Sequence, residues 1–305
     1  FADVYYRAAG LAALIIEENS NAADDLDDGF CTEERFGNII SFWGERGMGK
    51  SSAMLSFALF LKKYNHNIED RFRLKTGKKP EFYVLPRIDA AMLVKGEYLL
   101  DIILAKMWNI FEEQMYDGLK QDGKLNETKQ HFGNVKKSYE AYRKAVSGEE
   151  KYEMTSVRQL RELSKCLNLK EDFKKLVESF LDCTLKHNGE AGFLVVAIDD
   201  LDVVVDDVNS ILEQIRLFLS VPKVIVLATA DYGRLFLDCN KSFSDRLICK
   251  ENIDYIETRQ IRGYSEKYLA KIFPSNLRVY MPRINVEGAL DYSVRLPEGS
   301  NLIGG

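Results

Sequence analysis

The chain has 305 residues, 46% apolar and 29% charged, with a formal net charge of -5. That balance suits a globular protein with ample material for a core, in one large domain or two modest ones. The negative charge argues against coating nucleic acid by charge alone, leaving only a local basic groove as a route to it.

No apolar run approaches the roughly 18 residues that a bilayer span requires. The longest, "LAALII" (Leu11 to Ile16), lacks a basic flank or cleavage-like site, so neither a membrane segment nor a signal peptide is expected. The chain opens on Phe1 rather than Met, and a preceding native segment is expected. Five cysteines (Cys31, Cys166, Cys183, Cys239, Cys249) are scattered without a CxxC pair. Reduced thiols in a cytoplasmic protein are expected from that pattern. His66, His131 and His187 lie in polar contexts and read as surface positions.

In chain order, Asp3 to Asn19 has a helical rhythm, followed by an acidic connector, "NAADDLDDGF". "NIISFW" (Asn38 to Trp43) reads as a strand ending at Gly44, and "SSAMLSFALFLKKYN" as a helix. A basic stretch, "RFRLKTGKKP", leads into "EFYVLPRIDA", read as one strand, and then a long amphipathic helix, "GEYLLDIILAKMWNIFEEQMY". The lysine-rich segment that follows reads as a helical insertion over about residues 111–190. "GFLVVAID" (Gly192 to Asp199) is an unbroken apolar run of the kind buried in a parallel sheet. A helix, "VNSILEQIRLFLS", and a further buried strand, "KVIVLATAD", complete the alternation. Strands alternating with helices predict an α/β fold of three α/β/α layers around a mostly parallel sheet, with a nucleotide beyond the strands' carboxyl ends. The expected organisation is a P-loop NTPase core over residues 1–262, with 263–305 beginning a C-terminal lid or further domain.

The loop Gly44-Glu45-Arg46-Gly47-Met48-Gly49-Lys50-Ser51 matches G-x-x-x-x-G-K-[ST] at every fixed position. Its glycines let successive N–H groups turn toward phosphate oxygens, and the helix that follows, beginning at Ser52, presents its positive end to the anion. Lys50 is expected on the β and γ phosphates and the Ser51 hydroxyl on Mg²⁺. "FLVVAIDDLD" supplies the carboxylate that holds the magnesium, Asp199, acting through coordinated water. Asp200 stands where P-loop ATPases often carry the acid that orients or deprotonates water. A helix cap or a solvated loop is the other reading for Asp200 and for Asp202. Thr229 closes the next buried strand; it either touches the γ-phosphate or the lytic water, or is an ordinary strand residue. Arg234, Arg246, Arg259, Arg262 and Arg283 are the downstream candidates for a charge-stabilising arginine, with a neighbouring subunit as another source.

The string nearest to a guanine-reading Asn-Lys-x-Asp element is "NKSF", where Phe243 replaces the Asp. A regulatory GTPase is therefore disfavoured. The paired acids after a buried strand favour a water-activating ATPase over a small-molecule kinase, with ATP and Mg²⁺ as cofactors.

"GERGMGKSS" and "VVAIDDLD" resemble the KAP and STAND branches of the AAA+-related ATPases, as do "EFYVLPRIDAAML" and "EKYLAKIFPSNLRVYMP". The combination is similar to the ATPase subunits of the bacterial RADAR antiphage system, whose partner is an adenosine deaminase. The resemblance implies ring-like homo-oligomers, ATP hydrolysis and a role in defence. On the matching positions it implies Lys50 and Ser51 on phosphate and Mg²⁺, Asp199 on Mg²⁺ and Asp200 as catalytic acid. "VVVDD" follows the acids here, where KAP proteins often carry basic or aromatic residues. A nucleotide-gated scaffold with little turnover is the alternative. A DNA-associated motor rests on Arg71, Arg73, Lys75, Lys78 and Lys79, which a solvated basic loop explains equally well.

Overall fold

A computed structural model describes residues 2–24, 37–63, 79–93, 98–117, 123–147, 156–185, 192–203, 208–248 and 258–283. Six parallel strands form its sheet: β1 (Ile39–Trp43), β2 (Glu81–Val84), β3 (Ile88–Asp89), β4 (Gly192–Asp199), β5 (Val224–Ala230) and β6 (Arg278–Tyr280). They are ordered β2-β4-β5-β1-β6, with β3 beside β4 beyond the end of β2. All residues of β1, β4 and β5 are buried. This is why these strands read as near-continuous apolar runs rather than alternating ones: helices cover both faces.

The period-two alternation of strand side chains divides the core into two layers. On one face Ile40, Phe42, Phe193, Val195, Ala197, Ile225 and Leu227 pack against α1 (Ala2–Asp24) and α2 (Lys50–Lys63). On the other, Ile39, Trp43, Leu194, Val196, Ile198, Val224 and Val226 meet α3 (Leu99–Asp117), α5 (Ser156–Thr184), α6 (Val208–Gln214), α7 (Tyr232–Ile248) and α8 (Thr258–Ile272). The three-layer α/β/α arrangement expected from the alternation is therefore present.

The segment expected as an insertion holds α4 (Gly123–Ser147) and α5, which pack together, with α5 against β4 and Phe132, Val135 and Tyr139 of α4 in the same core layer. Ser138 donates to the Asp172 carboxylate, and the Phe180 ring meets Tyr83 of β2 edge-on, with centroids 5.4 Å apart. The insertion contributes to the main core because its apolar stripe has the sheet as its partner.

Three expectations need correction. "EFYVLPRIDA" is two strands, because Pro86 has no N–H to give the ladder. β2 pairs with β4 as Val84↔Val195, but β3 pairs as Ile88↔Ile198. One extra residue therefore stands on the β2–β3 side, the arrangement of a bulge. At the C-terminal side, α8 runs through the boundary expected after residue 262, and β6 beyond it pairs with β1 as Phe42↔Val279. Residues up to Tyr280 thus extend the core sheet. The acidic connector expected over 21–30 begins later, since α1 continues through Asp24; its residues 25–30, the basic run Arg71 to Lys78, His66, His187, Cys31 and Cys249 lie outside the described residues.

Candidate functional site

The phosphate-loop sequence joins β1 to α2 at the carboxyl end of the sheet. Gly47 and Gly49 adopt φ of 89° and 80°, a left-handed backbone that glycine takes without a Cβ penalty. Gly44 faces a different constraint: a Cβ there would lie 3.0 Å from Met281 Cβ and 3.2 Å from Met48 Sδ. The chain leaving β6 therefore presses against the start of the loop. Met48 N–H donates to Glu45 O (3.3 Å), and Ala53 N–H returns to Gly49 O (2.9 Å). The N–H groups before Ala53 in the first turn have no intrahelical acceptor, which leaves the anion-binding end of α2 available.

Lys50 is 7% exposed, and its ammonium donates to the Gly44 carbonyl at 2.8 Å and to Glu45 O at 3.2 Å. Ser51 is half-buried and Ser52 exposed, while Glu45 and Arg46 are exposed at the loop's tip. Glu45 pairs with Arg283 at 3.2 Å in an exposed contact.

Two strands away, β4 delivers the paired acids. Asp199 is 1% exposed. Its Oδ1 accepts from the Thr229 hydroxyl (2.5 Å) and from Asp200 N–H (3.1 Å), and its Oδ2 accepts from Arg87 Nη1 (3.0 Å). Asp200 turns the chain out of the strand with φ 54° and starts the 3-10 turn Leu201–Val203. Burial raises its pKa above the ordinary carboxylate value, helped by the charges of Asp199, Asp202 and Asp89 and opposed by Lys50. Among the described residues no group of three or more His, Cys, Asp or Glu forms a metal cage. Two hard oxygen donors nevertheless suit Mg²⁺, the Asp199 carboxylate and the Ser51 hydroxyl on the phosphate loop, and Arg87 at Asp199 Oδ2 shows that a cation can reach that oxygen.

Thr229 is fully buried, and its hydroxyl accepts from Asp200 N–H at 2.8 Å while donating to Asp199. Its one proton is thus committed to Asp199, so it does not face outward to a phosphate. β5 lies between β1 and β4, and this threonine is where β5 meets the acids. Asp231, two residues on, accepts from the Gly233 and Arg234 N–H groups (2.8 and 3.3 Å) and caps α7.

The downstream arginines are dispersed. Arg262 pairs with Glu266 (3.2 Å) and lies over Phe236, while Arg259 is exposed. The Arg246 side chain lies outside the described residues. Sequence reading overlooked Arg87, which stands in the β2–β3 bulge. Its signal was a proline inside an apolar strand run, followed directly by an arginine.

A parallel sheet carrying a glycine loop before a helix, with paired acids two strands away, defines a P-loop nucleotide-binding domain. Residues 37–258 match the KAP family P-loop domain, and the chain belongs to that family of P-loop NTPases. No curated protein sequence matches it. Among the described residues no helix is long and apolar enough to cross a membrane.

Proposed function

We propose that this protein is a Mg²⁺-dependent ATPase that oligomerises and uses ATP binding and hydrolysis to drive a conformational change. The observation that carries the reading is the Thr229-braced pair Asp199–Asp200, standing close enough to Lys50 for its charge to act on Asp200. Lys50 exchanges its bonds to the Gly44 and Glu45 carbonyls for β and γ phosphate oxygens. The glycine-loop backbone from Gly44 to Gly49 and the N–H groups of Lys50, Ser51 and Ser52 cradle the phosphates. Ser51 and Asp199 hold Mg²⁺, which when bound withdraws charge from the transferring phosphoryl group. Asp200, whose proton affinity burial has raised, takes a proton from the attacking water. Thr229 acts through both acids, fixing Asp199 Oδ1 and the Asp200 backbone.

Ring assembly, a charge-stabilising arginine from a neighbouring subunit, a deaminase partner and a role in bacterial antiphage defence rest on the resemblance to the RADAR ATPases. The cytoplasm is the compartment that this role requires. The test is ATP hydrolysis with Mg²⁺ over a range of protein concentrations, beside Asp200→Ala. Turnover per chain should rise with concentration, and the variant should lose at least about 100-fold in kcat, as removal of a positioned base does. Tightly retained nucleotide with negligible turnover in the unmodified chain would instead establish a nucleotide-gated scaffold.

A further inference from the structure

Asp199 is the most deeply buried carboxylate among the described residues. A charge at that depth requires donors, and the fold supplies three of two different kinds. Oδ1 is held from within by the Thr229 hydroxyl and Asp200 N–H, on a side chain and a strand end that cannot move without disturbing β4 and β5. Oδ2 is held from outside by Arg87, whose side chain is 44% exposed and whose backbone sits in a bulge. Pro86 interrupts the ladder after Leu85 N–H has donated to Val195 O (2.9 Å), and pairing resumes at Ile88. The extra residue turns Arg87 toward the end of β4. Asp89, in register with Asp199, lies 3.7 Å from the other guanidinium nitrogen. It gives Arg87 a second partner if the first is lost.

We propose that Arg87 is a positioning residue that holds Asp199 Oδ2 and yields it to a divalent cation arriving with nucleotide, moving to Asp89 and solvent. This rests on the nucleotide-site reading above. A cation approaching Asp199, directly or through its water, competes with the guanidinium for the same oxygen. The exposed end of the pair is the one that yields, because water solvates a released guanidinium there at little cost. A purely structural ion pair would leave the magnesium requirement unchanged. A phosphate-gripping arginine would move nucleotide affinity the other way.

The experiment measures binding of a fluorescent ATP analogue with a non-hydrolysable β–γ bridge, titrated with Mg²⁺ and repeated in EDTA. It compares the unmodified chain with Arg87→Gln and Arg87→Lys. In Arg87→Gln the Mg²⁺ midpoint should fall about 1.5- to fivefold, the range of a half-exposed ion pair, with affinity in EDTA little changed. Arg87→Lys, which keeps the charge without the fork, should fall between. The thermal upshift produced by Mg²⁺ with analogue, relative to EDTA with analogue, should be larger in Arg87→Gln. An unchanged or raised midpoint in both variants overturns the proposal, as does weaker binding in EDTA by the same factor as in Mg²⁺. If Arg87→Gln does not fold, Arg87→Lys decides alone, on the direction of its midpoint. An unmodified chain that binds no analogue under either condition would overturn the nucleotide-site reading itself.

Discussion

Replacing Thr229 with valine keeps the shape of a fully buried side chain and removes only its hydroxyl. That hydroxyl donates to an ionised acceptor, Asp199 Oδ1, at 2.5 Å, and a hydrogen bond of this kind contributes about 1.5–3 kcal/mol. It also accepts from Asp200 N–H at 2.8 Å, but that N–H has a second acceptor in Asp199 Oδ1 at 3.1 Å. Losing the second bond therefore adds no more than about 1 kcal/mol. The sum is a loss of about 1.5–4 kcal/mol, most of it the desolvation of a carboxylate short of one donor. Thr229→Ser keeps the hydroxyl and removes a methyl, for about 1 kcal/mol. Urea unfolding of both variants without nucleotide, followed by far-UV circular dichroism and intrinsic fluorescence, separates the hydroxyl from the methyl. If Thr229→Val matches the unmodified chain within about 0.5 kcal/mol, or loses less than Thr229→Ser, the bracing role is refuted.

Two further predictions follow from other sites. Burial pushes the Cys239 thiol up to about 12, with Asp238 adding to the effect. Iodoacetamide at pH 8 should leave Cys239 unlabelled in the folded protein and label it in urea, read by peptide mass spectrometry; labelling without denaturant would show that α7 opens. Asp238 has its pKa raised by burial, opposed by Lys241 and Arg234 and reinforced by Asp202. The fold therefore disfavours its ionised form, and ionisation removes stability as pH rises through the raised value. Asp238→Asn should raise Tm at pH 7 and lose that advantage below the unfolded carboxylate range, about pH 3.9. An equal effect at both pH values would mean that charge is not its cause.

Much of the site is local and so was open to sequence reading. The spacing from Gly44 to Ser51 requires no distant partner to be recognised, because the glycines, the lysine and the helix start lie within one turn and one loop. The run "GFLVVAID" likewise announces a strand buried on both faces, and its final acids must emerge at the carboxyl end of the sheet. Strand–helix alternation then fixes the layer class, since a parallel sheet needs crossovers on its faces.

What only tertiary structure decided are pairings between residues far apart in the chain. Arg87 and Asp199 lie 112 positions apart, and no local pattern couples them. Their contact depends on a one-residue bulge, and a shift of register by a single residue would send the arginine elsewhere. Of the two readings left open for Thr229, its bonds to Asp199 and Asp200 depend on strand order, which places β5 between the two halves of the site. β6 joined the core because the edge of β1 was open beyond the reach of "NIISFW" to reveal. Sequence by itself determined the P-loop class and the elements on which the glycine loop, Lys50 and the paired acids stand. The order and register of those elements in space determined which charges meet, because electrostatic and hydrogen-bond energies depend on distance and not on separation along the chain.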